Sequence, residues 1–146
     1  MMHATVARGE AIPAPDELVT AAARCWRAAR DARAPVQQRL YMTLSPHDCG
    51  MLAPVFASLM ALCEAALGRP IAVGGVMLSD DEHLLIGLLD GSKPRRACID
   101  CADGVASALD CAICSTRIMM ALTMGRPTGY PNHQLDPTRI RLTIPS

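Results

Sequence analysis

A stretch without any charged residue, 51–63, most strongly constrains what this chain folds into. Pro46 stands where a helix can begin, and Gly68 supplies the stop that commonly follows a helix. We therefore predict a helix over 46–67 at the centre of the core, because a helix that is apolar on every face is normally buried. Pro54 falls inside this helix and predicts a kink, since proline cannot donate its backbone hydrogen bond.

Composition favours helices over strands in the rest of the chain. Of the 146 residues, 51% are hydrophobic but only 3% are aromatic. Alanine and leucine, the commonest apolar residues, are strong helix formers, whereas strands favour aromatic and β-branched residues. The length suits one domain with its own core, and the hydrophobicity excludes a disordered chain.

Three further helices are predicted over 16–32, 80–90 and 94–124. Ser79 opens the second of them with a capping box, and Gly125 ends the third. We expect the third helix to be an unbroken rod that packs beside the central helix. Its buried side is predicted to include Ala108, and Gly104 is the only plausible hinge within it. Its apolar periodicity predicts that three charged residues at seven-residue intervals face solvent: Asp103, Asp110 and Arg117.

Short alternating segments predict a small β ribbon at the edge of this helical core. The segment 37–44 alternates apolar and polar residues, which favours a strand, although a short helix fits its apolar residues equally well. The segment 71–78 suggests a strand or hairpin divided by two glycines, and 140–144 alternates like a strand with one apolar face. The predicted fold class is therefore mainly α, a four-helix core with a long helix in its second half and a β ribbon that includes the C-terminal strand.

The predicted domain organisation has three parts. Residues 1–15 form a flexible N-terminal tail, 16–125 form the helical domain, and 126–146 form an extended segment with a short strand. A lone strand needs a partner, so we expect the last segment to pack on the same domain or on a dimer mate.

Two Cys-x-x-Cys pairs are the most conspicuous chemical feature: Cys98, Cys101, Cys111 and Cys114. Four thiolates can hold zinc, and one pair alone can support redox chemistry. A continuous helix would place Cys98 and Cys114 about 24 Å apart, however, so buried thiols are the preferred interpretation. Zinc binding or redox chemistry is the alternative, and two chains of a dimer would share a metal more easily than one chain.

A basic cluster at the start of the longest predicted helix suggests a second kind of site. Lys93, Arg95 and Arg96 crowd a helix start, where the helix dipole disfavours cations. A bound phosphate or other small anion would relieve that conflict, because helix N-termini bind anions. The competing interpretation is an ordinary solvated basic loop.

The remaining features argue against several classes of function. The formal net charge is zero, which argues against nucleic-acid binding, and no run is long enough for us to expect a membrane span. No nucleophile motif or phosphate-binding loop is present, so we lean away from an enzyme.

Seven cysteines without a secretion signal favour a reducing cytoplasm, and the arginine- and alanine-rich composition suggests a bacterial source. We therefore predict a non-enzymatic interaction or regulatory module that acts as a homodimer, with an unknown protein or a small anion as partner.

Overall fold

A computed structural model describes residues 13–125, and this part of the chain is mainly helical, as the composition predicts. It contains six α-helices and no β-strand among those residues. The helices are α1 (Pro15–Asp31), α2 (Val36–Leu44), α3 (Ala53–Leu67), α4 (Asp80–Asp90), α5 (Arg95–Cys98) and α6 (Asp103–Met124). The predicted strand over 140–144, most of the N-terminal tail and the segment 126–146 lie outside the described residues.

The predictions for α1 and α4 are confirmed to within one residue at each end. Helix α1 begins with Pro15 and carries acidic residues in its first turn, where the helix dipole stabilises negative charge. Helix α4 begins with the predicted capping box: the Ser79 hydroxyl accepts from the backbone N–H of Glu82, whose carboxylate accepts from the backbone N–H of Ser79. Gly91 ends α4 in the left-handed conformation, with φ of 87°.

Helix α2 corrects the preference for a strand over 37–44. Leu40 and Leu44, one helical turn apart, are both fully buried, whereas Met42 between them is 60% exposed. Strand alternation would have put Met42 on the same face as the two leucines. The helical alternative is therefore right, and the β ribbon loses one of its predicted members.

The central helix starts later than predicted. Two short 3₁₀ turns, Ser45–His47 and Gly50–Leu52, precede α3, and Asp48 between them takes the left-handed conformation with φ of 60°. Helix α3 then begins at Ala53, so Pro54 lies in its first turn, where no intrahelical N–H bond is needed. The predicted kink at Pro54 is therefore wrong.

The predicted rod over 94–124 is broken into α5 and α6. Ile99 has an extended backbone, with φ of −132° and ψ of 117°, and its side chain is only 3% exposed. The helix stops because Ile99 turns into the core, and it resumes at Asp103 after Ala102 as N-cap. The break lies before Gly104, the only hinge that the sequence suggests.

Helices α3 and α6 form the most extensive helix pair of the core. Phe56 and Leu59 of α3 and Leu109 of α6 are fully buried there. Helix α1 packs on α2 and α4, while α4 also packs on α6. This arrangement covers one side of α6 and leaves its other side in solvent.

The segment 71–78 is a loop rather than the predicted strand or hairpin. Its backbone N–H groups bond to carboxylates instead of to a neighbouring strand: Ile71 donates to Glu64, and Ala72 donates to Asp81. Side-chain carboxylates therefore accept the backbone hydrogen bonds that a neighbouring strand would accept in a β-sheet. The backbone N–H groups of Ile71 and Ala72 are satisfied without a second strand.

Candidate functional site

The solvent side of α6 is a continuous uncharged face. Its buried side is the stripe Ala106, Leu109, Ile113, Thr116 and Met120. Its exposed side, which we call the α6 face, consists of Gly104, Ala108, Cys111, Ser115, Ile118 and Leu122. These six positions alternate in steps of four and three residues, the spacing by which one helix packs along another in a coiled coil.

The larger side chains of the α6 face are strongly exposed. Ile118 is 54% exposed and Leu122 is 74% exposed. Single exposed apolar residues are ordinary, but an uncharged row along five helical turns that ends in two large exposed apolar side chains is typical of an interaction surface. The sequence prediction had placed Ala108 on the buried side of this helix, and that placement is wrong.

The charged residues of α6 flank this face instead of interrupting it. Asp110 is exposed, as predicted, and accepts two hydrogen bonds from the Arg95 guanidinium at 2.7 and 3.1 Å. Arg117 donates to the backbone carbonyls of Leu88 and Leu89 at the end of α4. Both charges therefore fasten α6 to neighbouring segments.

The four clustered cysteines differ in their exposure to solvent. Cys98, Cys111 and Cys114 are exposed, and Cys101 is partly buried against the core. Within residues 13–125, no group of three or more His, Cys, Asp or Glu side chains lies close enough to hold a metal ion. The preferred interpretation, buried thiols, is wrong for the three exposed cysteines. The zinc or redox alternative gains no support from the geometry.

A small cleft between the end of α4 and the middle of α6 gathers three cations. Lys93, Arg95 and Arg117 line it together with Asp110, around a volume of about 220 Å³. Two of the three residues predicted to bind an anion are thus brought together, whereas Arg96 is not among the lining residues. The physical reason given for that prediction does not hold, because the long helix begins at Asp103 and not beside this cluster.

Sequence reasoning missed Arg117 as a member of this basic cleft. Its position on the charged side of α6 could be read from the seven-residue repeat, but its approach to Lys93 depends on how α4 docks on α6. The Arg95 guanidinium donates two hydrogen bonds to the Asp110 carboxylate, and this interaction raises the pKa of Arg95. The Lys93 ammonium makes no hydrogen bond within residues 13–125, and the Lys93 stem packs on Gly87.

Buried carboxylates at the start of α4 hold the preceding loop. The Asp81 carboxylate accepts from Arg69 at 2.6 and 2.9 Å and from the backbone N–H of Ala72. These hydrogen bonds, led by those from Arg69, lower the pKa of Asp81 although burial acts in the opposite direction. Asp81 therefore anchors the loop before α4, and Glu82 takes part in the capping box.

Glu82 is the most buried of these acids, with a fully covered side chain. Burial by itself would raise the pKa of Glu82, but hydrogen bonds from Arg24, Ser79 and Gly74 together lower it. The loop held in this way presents Val76 and Met77 almost fully to solvent. It is thus an anchored loop with an apolar tip.

Two stretches among the described residues, Gly50–Leu67 and Asp103–Met124, are long and apolar enough to cross a membrane by length and composition alone. The same test is passed by core helices of soluble proteins, and α3 lies in the core of this fold. The expectation that no stretch is long enough to span a membrane is therefore wrong as a statement about length alone.

Comparisons with protein-family models, with curated proteins and with solved structures found no match to this chain. Residues 13–125 therefore define a mainly helical fold in which α6 exposes an uncharged face.

Proposed function

We propose that this chain is a non-enzymatic interaction module that forms a homodimer through the α6 face. The observation that carries the proposal is the uncharged row of exposed residues, with Ile118 and Leu122 at its apolar end. Removing such side chains from water favours association by roughly 25 cal/mol for each Å² of apolar surface that is buried. A reducing bacterial cytoplasm, where the exposed thiols stay free, is part of the same proposal.

The shape of α6 suits a second copy of the same helix. Its 22 residues make a helix about 33 Å long. The α6 face has small residues toward its start and large apolar residues toward its end. Close approach is therefore available at Gly104 and Ala108, while Ile118 and Leu122 supply apolar area. A two-fold pair would also be self-complementary, as an isologous interface requires.

The test is the oligomeric state of a charged variant. Sedimentation velocity at micromolar concentration should show a dimer for the unmodified chain and a monomer for the double variant Ile118→Glu and Leu122→Glu. The matched control is Val76→Glu with Met77→Glu, which adds the same charge at other exposed apolar positions and should remain dimeric. Circular dichroism should show unchanged helicity in both variants. A monomeric unmodified chain, or equal dissociation of both variants, would overturn the proposal.

A second candidate function, binding of a small anion, is favoured by the basic cleft. Three cations face one carboxylate there, so the cleft attracts negative charge. Phosphate should raise the melting temperature of the unmodified chain more than sodium chloride does at equal ionic strength, because a ligand stabilises the state that binds it. Lys93→Met should lose this gain, whereas Arg96→Met, which removes a cation outside the lining, should keep it. Equal gains in the two variants would rule out the cleft.

A further inference from the structure

A second surface, independent of the α6 face, is an apolar groove beside the ends of the described chain. It lies between the first turn of α1 and the last turns of α4 and α6, with a volume of about 460 Å³. We call it the terminal groove. Its apolar lining includes Val19, Ile86, Leu89, Met120 and Met124. A groove of this size and polarity is large enough to take several apolar side chains.

The rim of the terminal groove is acidic. Asp16 and Asp90 line it against one cation, Arg117. The Asp16 carboxylate has no hydrogen bond or ion pair within residues 13–125, while Arg117 is held by carbonyls of α4. The formal net charge of the lining is therefore minus one, and a cationic apolar occupant fits it.

We propose that residues 139–144 of the same chain occupy the terminal groove. Met124 lines the groove and Gly125 ends α6, so the segment 126–146 leaves the helix at the groove itself. The charged residues of this segment are three arginines and one aspartate, with Arg139 and Arg141 beside its apolar residues. Ile140, Leu142 and Ile144 supply the apolar side chains.

The chain length allows this return. Arg139 is fourteen positions beyond Gly125, and an extended chain of fourteen residues reaches about 46 Å. Residues 1–12 are the other candidate occupant, because they precede Pro13, which lines the groove. Their one arginine and one glutamate cancel, however, so they lack the positive charge that the rim favours. Charge complementarity therefore selects the segment 126–146.

Photo-crosslinking of the full chain tests the location. Benzoylphenylalanine placed at Ala121, which is exposed and lines the groove, should crosslink to 139–144. The same probe at Ala61, exposed on α3 and absent from the groove lining and from the α6 face, should not. Mixing isotopically labelled and unlabelled chains separates crosslinks within a chain from those between chains. Crosslinks from position 121 to 1–12 alone or to a second copy alone, with none to 139–144 of the same chain, would overturn the proposal.

Hydrogen exchange gives an independent measurement. The triple variant Ile140→Asp, Leu142→Asp and Ile144→Asp should uncover the groove, with severalfold faster amide exchange in 86–90 and 117–124 and a higher fluorescence of an apolar dye. The control carries the same number of aspartates outside 139–144, at Thr128→Asp, Asn132→Asp and Gln134→Asp. Equal exchange and equal dye fluorescence in the two triple variants would contradict occupation of the groove by these residues.

Discussion

Glu82→Gln should destabilise the fold although it changes only one atom of a buried side chain. The Glu82 carboxylate accepts from Arg24 Nε at 2.7 Å and from Arg24 Nη2 at 3.1 Å. Its Oε1 atom also accepts from the backbone N–H groups of Gly74 and Ser79, at 3.0 and 2.8 Å. A glutamine can keep the two backbone bonds through its carbonyl oxygen, but its amide N–H₂ would then face the Arg24 donor.

The magnitude follows from the bonds that are lost. Hydrogen bonds to charged groups contribute about 1.5–3 kcal/mol, and breaking a fully buried ion pair costs about 3–5 kcal/mol. Arg24 is 34% exposed, so water compensates part of the loss. We therefore expect Glu82→Gln to lower the free energy of unfolding by about 2–3 kcal/mol. Urea denaturation followed by circular dichroism measures this difference.

The pH dependence provides a sharper check of the same reasoning. Because the pKa of Glu82 is lowered on folding from its ordinary value of 4.5, its charge stabilises the folded state fully above pH 4.5. That contribution is lost as the pH falls through the folded pKa. The difference between the unmodified chain and Glu82→Gln should therefore be constant near neutral pH and shrink in acid. A difference below about 0.5 kcal/mol at neutral pH, or one that grows in acid, would refute the argument.

Two further predictions concern the anchored loop and the cysteines. Gly74→Ala should destabilise by about 1–3 kcal/mol in urea denaturation, because a Cβ atom there meets the Met77 carbonyl and lies 2.9 Å from the Ser79 nitrogen. Gly75→Ala, which meets nothing within 4 Å, should change the stability by less than about 0.5 kcal/mol, and equal effects would contradict the loop geometry. Under native conditions a maleimide should label the exposed Cys98 quickly and leave Cys63 unlabelled, since burial raises the pKa of Cys63 to about 12. If the α6 face forms the dimer, labelling of Cys111 should slow as protein concentration rises while that of Cys98 does not; mass spectrometry resolves the sites.

The helices that could be predicted closely carry their boundary signals in adjacent residues. Ser79 and Glu82 define the start of α4, and Gly91 defines its end, because capping depends on residues within one turn. The same locality made Gly68 a correct stop for α3. The start of α3 was misplaced because Asp48 takes a left-handed conformation, which is uncommon for a non-glycine residue.

The features that could not be predicted depend on contacts between distant parts of the chain. Ile99 interrupts a sequence whose local periodicity continues as a helix, and only the core that buries it favours the extended backbone. Glu82 and Arg24 are 58 residues apart, so no local sequence pattern reveals their ion pair. Nor does a local pattern show that Glu82 accepts backbone hydrogen bonds from the loop before α4. The candidate sites follow the same division. The spacing of the α6 face is local and legible in the sequence, but which side of α6 stays in solvent depends on how α6 packs on α3, a contact between distant parts of the chain.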